Sequence, residues 1–329
     1  MKEHKIAPPL AMDVIWAGRG PPFFWTALFR DKFMPLQQLV EYFNDRFEYE
    51  HQSRVRTFIL EDGKVSGLFG PIRIGSLFAP IRHADHPERI AGHAALLSVS
   101  TYESRHRHTY EIENLLTDAV RQPVDFESII NLDRLCRTVH MLNYLPAAHF
   151  DGVLLLEVDP RHIFGIKRDH GAYFEEVIVK CGLATRNIVI SMTVNNFYSL
   201  HPAHLLEGLS NYRKRGYRIA LNIASLHAAR NVRDLVARLA PDYLRVNVPK
   251  LDRAVTDGNA LPALENLKAL ADSVAGQAIV QQVERKKQAD LITQAGIALV
   301  QGDFYEAAPD GQLSITRPAG RALAYDRLC

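Results

Sequence analysis

Residues 217–248 read YRIALNIASLHAARNVRDLVARLAPDYLRVNV and contain one complete strand–helix–strand unit. The apolar runs Tyr217–Ile223 and Tyr243–Val248 predict buried strands, and the amphipathic segment 227–239 between them predicts a helix. Strands that alternate with helices in this way form parallel sheets with right-handed crossovers. This stretch therefore indicates an α/β fold.

The same alternation recurs from about residue 150 to residue 304. Glycines 182, 216 and 296 lie between a predicted helix and the next strand, where a C-cap needs positive φ. The count of strands predicts a (β/α)₈ barrel. An open doubly wound sheet is the alternative, but no Gly-rich phosphate loop follows a strand. The further predicted strands are Leu77–Ile81, Ala94–Val99, Val153–Val158, Ile188–Thr193, Ala278–Val283 and Ala298–Phe304.

Composition narrows the class of protein. The 329 residues include 39 Lys+Arg and 37 Asp+Glu, a formal net charge of +2, and a dedicated nucleic-acid binder would carry a basic excess. No apolar run approaches the roughly 20 residues of a membrane span, and the N-terminus lacks the pattern of a signal peptide. The three cysteines are far apart in the sequence and suggest no disulfide framework, which fits a protein of a reducing compartment. We expect a cytoplasmic protein with no nucleic-acid partner and no membrane span.

The N-terminal 75 residues differ from the rest of the chain. A helix is predicted from Pro35, and Glu61-Asp62-Gly63-Lys64 predicts the turn of a β-hairpin. We predict an α+β module of unknown role at residues 1–75, a barrel at 76–312 and a C-terminal tail, 313–329, packed on the barrel. Aromatic residues in the first segment either pack it onto the barrel or form a partner-binding face. They include Phe23, Phe24, Trp25 and Phe29.

Polar residues recur at the ends of the predicted barrel strands. In a barrel of this type the C-terminal strand ends meet at one mouth, where active sites lie. Each residue alone is more typical of a loop cap, but recurrence at successive strands predicts a pocket. Amides and hydroxyls outnumber carboxylates, so the set is poor in ligands for hard divalent cations. The residues are Glu157, Asp159, Ser191, Thr193, Asn222, Asn247, Gln281, Glu284 and Gln301.

Several ordered motifs of the chain resemble those of one known family. Residues 78–99, FAPIRHADHPERIAGHAALLSV, are similar to an opening strand, a turn and Gly-x-Glu-Ala-Leu-Leu-Arg. Residues 241–247, PDYLRVN, resemble Pro-Asp-x-Ile-Lys-Ile-Asp, and residues 296–309, GIALVQGDFYEAAP, resemble Gly-x-x-x-x-Gln-Gly-Tyr-x-Phe-x-x-Pro. With these motifs, residues 76–312 resemble the EAL domain, the cyclic-di-GMP phosphodiesterase family of bacteria. It implies an EAL-type (β/α)₈ TIM-like barrel, here with a small N-terminal α+β extension.

The resemblance also implies which positions would carry function. The family attacks a phosphodiester with water activated by two divalent cations, which several carboxylates hold. Its name-giving glutamate corresponds to Ala94, its nucleotide-binding arginine to Ser98 and its catalytic lysine to Arg245. Only Glu284 and Gln301 keep the family's residue. Further metal-site or acidic positions of the family correspond to Glu157, Ser191, Asn222, Asn247 and Gln281.

These departures predict a degenerate EAL barrel that does not hydrolyse cyclic-di-GMP. Most of the anionic ligands are replaced, and the guanidinium of Arg245 does not give up a proton as a pKa-shifted lysine does. We expect no metal ion and no cofactor. The first hypothesis is a bacterial regulatory protein that binds another protein, with a homodimer left open. The alternatives are a cyclic-di-GMP receptor without hydrolysis, and a phosphodiesterase with a rearranged metal site.

Overall fold

The computed structural model describes residues 34–51, 56–70, 72–101, 108–110, 126–148, 152–165, 171–194, 202–223, 230–247 and 260–306. Its strands are β1 (Phe58–Glu61), β2 (Lys64–Phe69), β3 (Ile72–His83), β4 (Ile90–Thr101), β5 (His108–Tyr110), β6 (Val153–Glu157), β7 (Ile188–Val194), β8 (Arg218–Ile223), β9 (Tyr243–Asn247), β10 (Gln277–Gln281) and β11 (Leu299–Val300). Its α-helices are α1 (Leu36–His51), α2 (Phe126–Tyr144), α3 (Pro160–Gly165), α4 (Ala172–Lys180), α5 (Pro202–Lys214), α6 (Arg230–Leu239), α7 (Ala260–Asp272) and α8 (Lys286–Gln294).

Eight strands close into a barrel in the order β3-β4-β6-β7-β8-β9-β10-β11, and β11 pairs back onto β3. Neighbours from β4 round to β11 run parallel, whereas β3 is antiparallel to both of its neighbours. Helices separate most of the parallel strands, as crossover connections require. The predicted TIM-like (β/α)₈ barrel is confirmed, and the open-sheet alternative is excluded. None of the helices in these ranges is long and apolar enough to cross a bilayer.

The strands with continuous apolar runs lie where the sequence predicts them. Strand β6, VLLLE, is buried at its first four residues, which is typical of a parallel strand covered on both faces. Gly182, Gly216 and Gly296 have φ values of 70°, 86° and 70°, which confirms the three predicted helix C-caps. The last strand is shorter than predicted, because the chain turns at Gly302 and forms a 3₁₀ turn at Asp303–Tyr305.

Strands β3 and β4 extend past the barrel as a two-stranded arm. In β3 only Arg82 and His83 pair with β11, while in β4 only residues 92–94 pair with β6. The rest of the two strands pair with each other, with β5 and with the predicted hairpin β1–β2. Strand β3 runs across the predicted boundary between residues 75 and 76, so the hairpin shares one sheet with the barrel.

Helices α1 and α2 pack against this arm and share the main hydrophobic core. Phe43 of α1 lies against Phe58 of β1, with ring centroids 6.3 Å apart. A Cβ at Gly67 of β2 would lie only 2.7 Å from Leu135 Cδ1 of α2, so glycine there lets helix and strand approach without displacing the Leu135 side chain. The four N-terminal aromatic residues predicted as a partner face lie outside the described residues, as does the tail 313–329.

A buried ionic cluster fastens α2 to α3 and α5 on the outside of the barrel. Arg137 and Asp133 of α2 are both fully buried and form an ion pair. Arg137 also donates to Tyr212 Oη at 3.1 Å, and its guanidinium lies 3.5 Å above the Phe174 ring. His162 Nδ1 lies 3.0 Å from Asp133 Oδ2, and His162 Nε2 lies 3.2 Å from Arg137 Nη2. Because a guanidinium only donates, His162 Nε2 accepts from Arg137, whereas Nδ1 lies close to Asp133 without hydrogen-bond geometry.

Two further buried histidines make stability depend on pH. Burial lowers the pKa of His140 to about 3, and burial together with the charge of Arg82 lowers the pKa of His93 to about 4. In the unfolded chain the pKa of histidine is about 6.5, so above that pH protonation does not favour unfolding. Below it the unfolded histidines take up protons that the folded ones do not, and the free energy of unfolding falls as the pH drops towards 4. Each histidine is expected to remove about 2 kcal/mol of unfolding free energy between pH 7 and pH 5.

Urea unfolding of wild type and His140→Gln at pH 7 and pH 5 tests this. The variant should lose about 2 kcal/mol less than wild type across this interval, because glutamine takes up no proton. Lys64→Gln, at an exposed position of the β1–β2 hairpin, is the control for general effects of substitution. Equal losses in wild type and His140→Gln would show that His140 does not contribute.

Candidate functional site

The barrel interior changes from apolar to polar towards the C-terminal strand ends. Alternate residues of a strand face inward, so Leu155 and Glu157 of β6 share the interior with Ile279 and Gln281 of β10. The lower interior is a separate apolar cluster of Ile81, Ala94, Val153, Leu155, Val189, Ala220, Tyr243, Ile279 and Leu299. The polar layer above it consists of Glu157, Ser191, Thr193, Asn222, Arg245, Asn247, Gln281 and Gln301. These side chains therefore form one polar layer inside the barrel, at the strand ends where the sequence predicts a pocket.

Arg245 is the centre of this polar layer. From β9 its Nη1 donates to Ser191 Oγ of β7 at 2.8 Å, and its Nη2 donates to Gln281 Oε1 of β10 at 2.6 Å. Nη2 also lies 3.2 Å from Oε1 of Gln301, which follows β11, and Gln301 Nε2 in turn donates to the Ala79 carbonyl at 3.1 Å. Because these partners lie on both sides of β9, the guanidinium lies across the interior of the barrel.

A second chain of hydrogen bonds lies on the other side of the mouth. Asn222 Nδ2 donates to Thr193 Oγ1 at 3.2 Å, and Thr193 Oγ1 donates to Glu157 Oε1 at 3.1 Å. Glu157 is thereby oriented by a neighbouring hydroxyl. The Asn222 Oδ1 atom is buried, and it accepts no hydrogen bond from the described residues. The mouth therefore contains one acceptor that a ligand N–H or O–H group could satisfy.

The backbone at Gln282, directly after β10, and at Gly302, shortly after β11, has conformations that favour glycine. Gln282 has a φ of 61°, a left-handed conformation that favours glycine. Residues 281–284, QQVE, resemble the EAL segment Glu-Gly-Val-Glu, which has glycine at this position. A Cβ at Gly302 would lie 2.2 Å from the Val283 carbonyl oxygen, so only glycine fits there. Val283 N donates to the Gln301 carbonyl at 3.0 Å, and this bond fixes Gln301 beside Arg245.

Three sequence candidates lie apart from the polar layer. Ala94 is buried in the lower apolar cluster and pairs with Leu155 in the ladder between β4 and β6. Glu284 is exposed, in the turn between β10 and α8. Asp159 is buried, but it caps α3 by accepting from the Arg161 amide at 2.8 Å and pairs with the Arg161 guanidinium at 2.6 Å. Sequence reasoning missed the buried cluster of Asp133, Arg137 and His162, although the Asp–Arg spacing of four residues was a signal.

The donors of the polar layer do not fit a pair of divalent cations. Such a pair needs several anionic oxygens, and among the described side chains of this layer only Glu157 carries a carboxylate. The others are amides, hydroxyls and one guanidinium, and the charge of Arg245 repels a cation. No group of three His, Cys, Asp or Glu side chains in the described ranges has metal-binding geometry. What the mouth can do is donate and accept hydrogen bonds to a polar ligand.

Solved structures of EAL proteins share this fold. The EAL enzyme Bd1971 in its cGMP-bound form matches with a TM-score of 0.58 and 17% identity, over 70% of this chain and 62% of that one. Bacillus subtilis YkuI with c-di-GMP and calcium matches with a TM-score of 0.57 and 19% identity, over 72% of this chain and 55% of that one. A standalone EAL protein of Vibrio cholerae O395, bound to c-di-GMP, matches with a TM-score of 0.54 and 16% identity, over 70% of this chain and 89% of that one. At these identities the likeness establishes the fold alone.

The family assignment comes from the sequence. No curated protein matches the chain. The sequence model of the EAL domain matches residues 127–308, which is more than half of the chain. The match begins after β4 and so includes the polar layer from Glu157 to Gln301 but not Ala94. The chain belongs to the EAL domain family.

Proposed function

We propose that this EAL domain is a catalytically inactive signalling protein that acts in a bacterium by binding another protein. The observation that supports this proposal is the bonding of Arg245, whose guanidinium joins Ser191, Gln281 and Gln301 across the mouth. The resemblance assigns the catalytic lysine to this position and acidic residues to the positions of Ser191 and Gln281. A cation here, bonded to neutral groups, replaces the cluster of anions that hydrolysis requires.

A protein partner is supported by the closed barrel, which provides a stable surface for binding. The barrel is closed and has two buried apolar clusters, so the scaffold does not depend on the catalysis that we propose is absent. Protein binding needs only an exposed surface, and it does not depend on the mouth. The expected class of activity is therefore regulation through association.

The second candidate is a receptor that binds cyclic-di-GMP without cleaving it. The buried Asn222 Oδ1 atom favours this candidate, because it accepts no hydrogen bond from the described residues and a guanine N–H could donate to it. A ligand bound in this way would depend on hydrogen bonds rather than on bridging cations. Its affinity would therefore be independent of Mg²⁺.

Calorimetric titration of the full chain with cyclic-di-GMP, with and without Mg²⁺, separates these functions. We expect no saturable binding in either condition, corresponding to a dissociation constant weaker than about 100 µM. Tight binding that needs no Mg²⁺ and is lost in Asn222→Ala would establish the receptor instead. Binding that requires Mg²⁺ would contradict both candidates and favour a rearranged metal site. Lys64→Ala, far along the chain on the exposed hairpin, is the control for general effects of substitution.

A further inference from the structure

We propose that the face of the barrel opposite the mouth binds an acidic segment of a protein partner through a basic surface. This basal basic surface consists of five exposed side chains, Lys180, Arg186, Lys214, Arg218 and Arg238. The inference rests on the proposed function only in taking the partner to be a protein. Beyond that function, it specifies that the partner binds at the basal basic surface and does so through acidic side chains.

The five residues lie at the same end of the barrel. Lys180, Lys214 and Arg238 belong to the last turns of α4, α5 and α6. Arg186 precedes β7 in the 3₁₀ turn Thr185–Asn187, and Arg218 is the first residue of β8. In a βα barrel the C-termini of the helices and the N-termini of the strands share the face opposite the mouth.

Contacts between the connecting turns make this surface continuous. A Cβ at Gly216 would lie 2.9 Å from Thr185 Oγ1, so the turn that carries Arg186 touches the turn between Lys214 and Arg218. Arg213 donates to the Ala240 carbonyl at 2.7 Å, which joins the end of α5 to the turn after Arg238. The cations of three successive helices, one 3₁₀ turn and one strand therefore form one sector of the surface.

Stabilisation of helix dipoles explains only some of the five basic residues. Cations in the last turn of a helix stabilise its dipole, which explains Lys180, Lys214 and Arg238. Arg186 and Arg218 lie outside any α-helix, yet they carry the same charge in the same sector. The described helices α2, α7 and α8 have no basic residue in their last turns, so the charge is concentrated on one side.

These cations are available to a partner. Within the described ranges none of the five forms an ion pair, whereas their neighbours Arg213 and Arg215 pair with Asp242 and Glu175. Lys180 lies over the Tyr42 ring and Arg218 donates to Tyr243 Oη, and these contacts leave both charges unneutralised. Exposed charges of one sign attract and orient an oppositely charged partner.

The composition of the surface favours an acidic protein over nucleic acid or a bilayer. Asp242 and Glu175 lie within it and would repel a continuous phosphate backbone, while discrete carboxylates can avoid them. Tyr243 is only 8% exposed and offers no face for stacking a base. Val179, which is 65% exposed beside Lys180, could hold one apolar side chain of a peptide but is too small to anchor a membrane protein.

The test is fluorescence anisotropy of the full chain with a labelled peptide of about ten glutamates. We expect binding at about 50 mM salt that weakens strongly at about 300 mM, because screening acts on exposed charges. The variant Arg186→Gln/Lys214→Gln/Arg238→Gln should bind about tenfold more weakly. The control Lys64→Gln/Lys286→Gln/Lys287→Gln loses the same charge from exposed positions elsewhere and should change affinity less than about twofold.

Three outcomes would overturn the proposal. The first is no binding of wild type at low salt, and the second is equal weakening in the two triple variants, which would reduce the effect to net charge. The third is tighter binding of duplex DNA, or of vesicles with phosphatidylserine, that depends on the same three residues. Hydrolysis of cyclic-di-GMP by the chain would contradict the proposed function but would leave this peptide result intact, so the two failures are distinguishable.

Discussion

Replacing Arg137 by methionine is expected to lower the free energy of unfolding by about 4 kcal/mol. The substitution leaves the Asp133 carboxylate in a site with no solvent exposure and without its cation. It also removes the donor to Tyr212 Oη and the guanidinium above Phe174. Burial already raises the pKa of Asp133 to about 6 against the opposing charge of Arg137. Without that charge the acid must take up a proton to stay buried.

Two comparisons test this reasoning by urea unfolding at pH 7. The double variant Asp133→Asn/Arg137→Met should be more stable than Arg137→Met alone, because it leaves no uncompensated charge. Lys268→Met is the matched control, since Lys268 and Asp272 form an exposed pair with the same spacing of four residues, and it should cost less than about 0.5 kcal/mol. Equal losses in Arg137→Met and Lys268→Met, or no recovery in the double variant, would contradict the account.

The predictable parts of the fold are those governed by local pattern. Strand β6 is a continuous apolar run, and Gly182 follows a helix where a left-handed cap is needed, so both could be read from the sequence. The length of β3 could not, because Arg73, Gly75 and Ser76 interrupt its apolar run. Pairing with β2 and β4 extends that strand. Such pairing depends on residues that are distant in the chain.

In the site, too, local pattern predicts some features, and others depend on residues that are distant in the chain. Ser191, Asn222 and Gln281 could be placed at the mouth because each is near the C-terminal end of a predicted strand. The central position of Arg245 could not be predicted, since it depends on the reach of one side chain across a closed barrel. The burial of Asp133 and Arg137 could not be predicted from the sequence either. Their spacing on α2 also fits an exposed pair, and only the packing of α3 and α5 distinguishes the two.

The second large effect is expected in catalysis. The chain should form no linear dinucleotide from cyclic-di-GMP in the presence of Mg²⁺ or Mn²⁺, because Glu157 is the only carboxylate in the described polar layer. Arg245→Lys should be equally inactive, since a lysine restores a titratable amine but adds no anionic ligand. Activity in Arg245→Lys alone would show that the amine, rather than the cation ligands, is the missing group.

Product formation by the wild-type chain is the most direct measurement. The full chain at high concentration is incubated with cyclic-di-GMP and Mn²⁺, and the linear dinucleotide is separated by chromatography. We predict that the amount with enzyme equals the amount in buffer with Mn²⁺ alone. Linear dinucleotide that increases with protein concentration and disappears with a chelator would contradict the conclusion that this mouth cannot hold the catalytic cations.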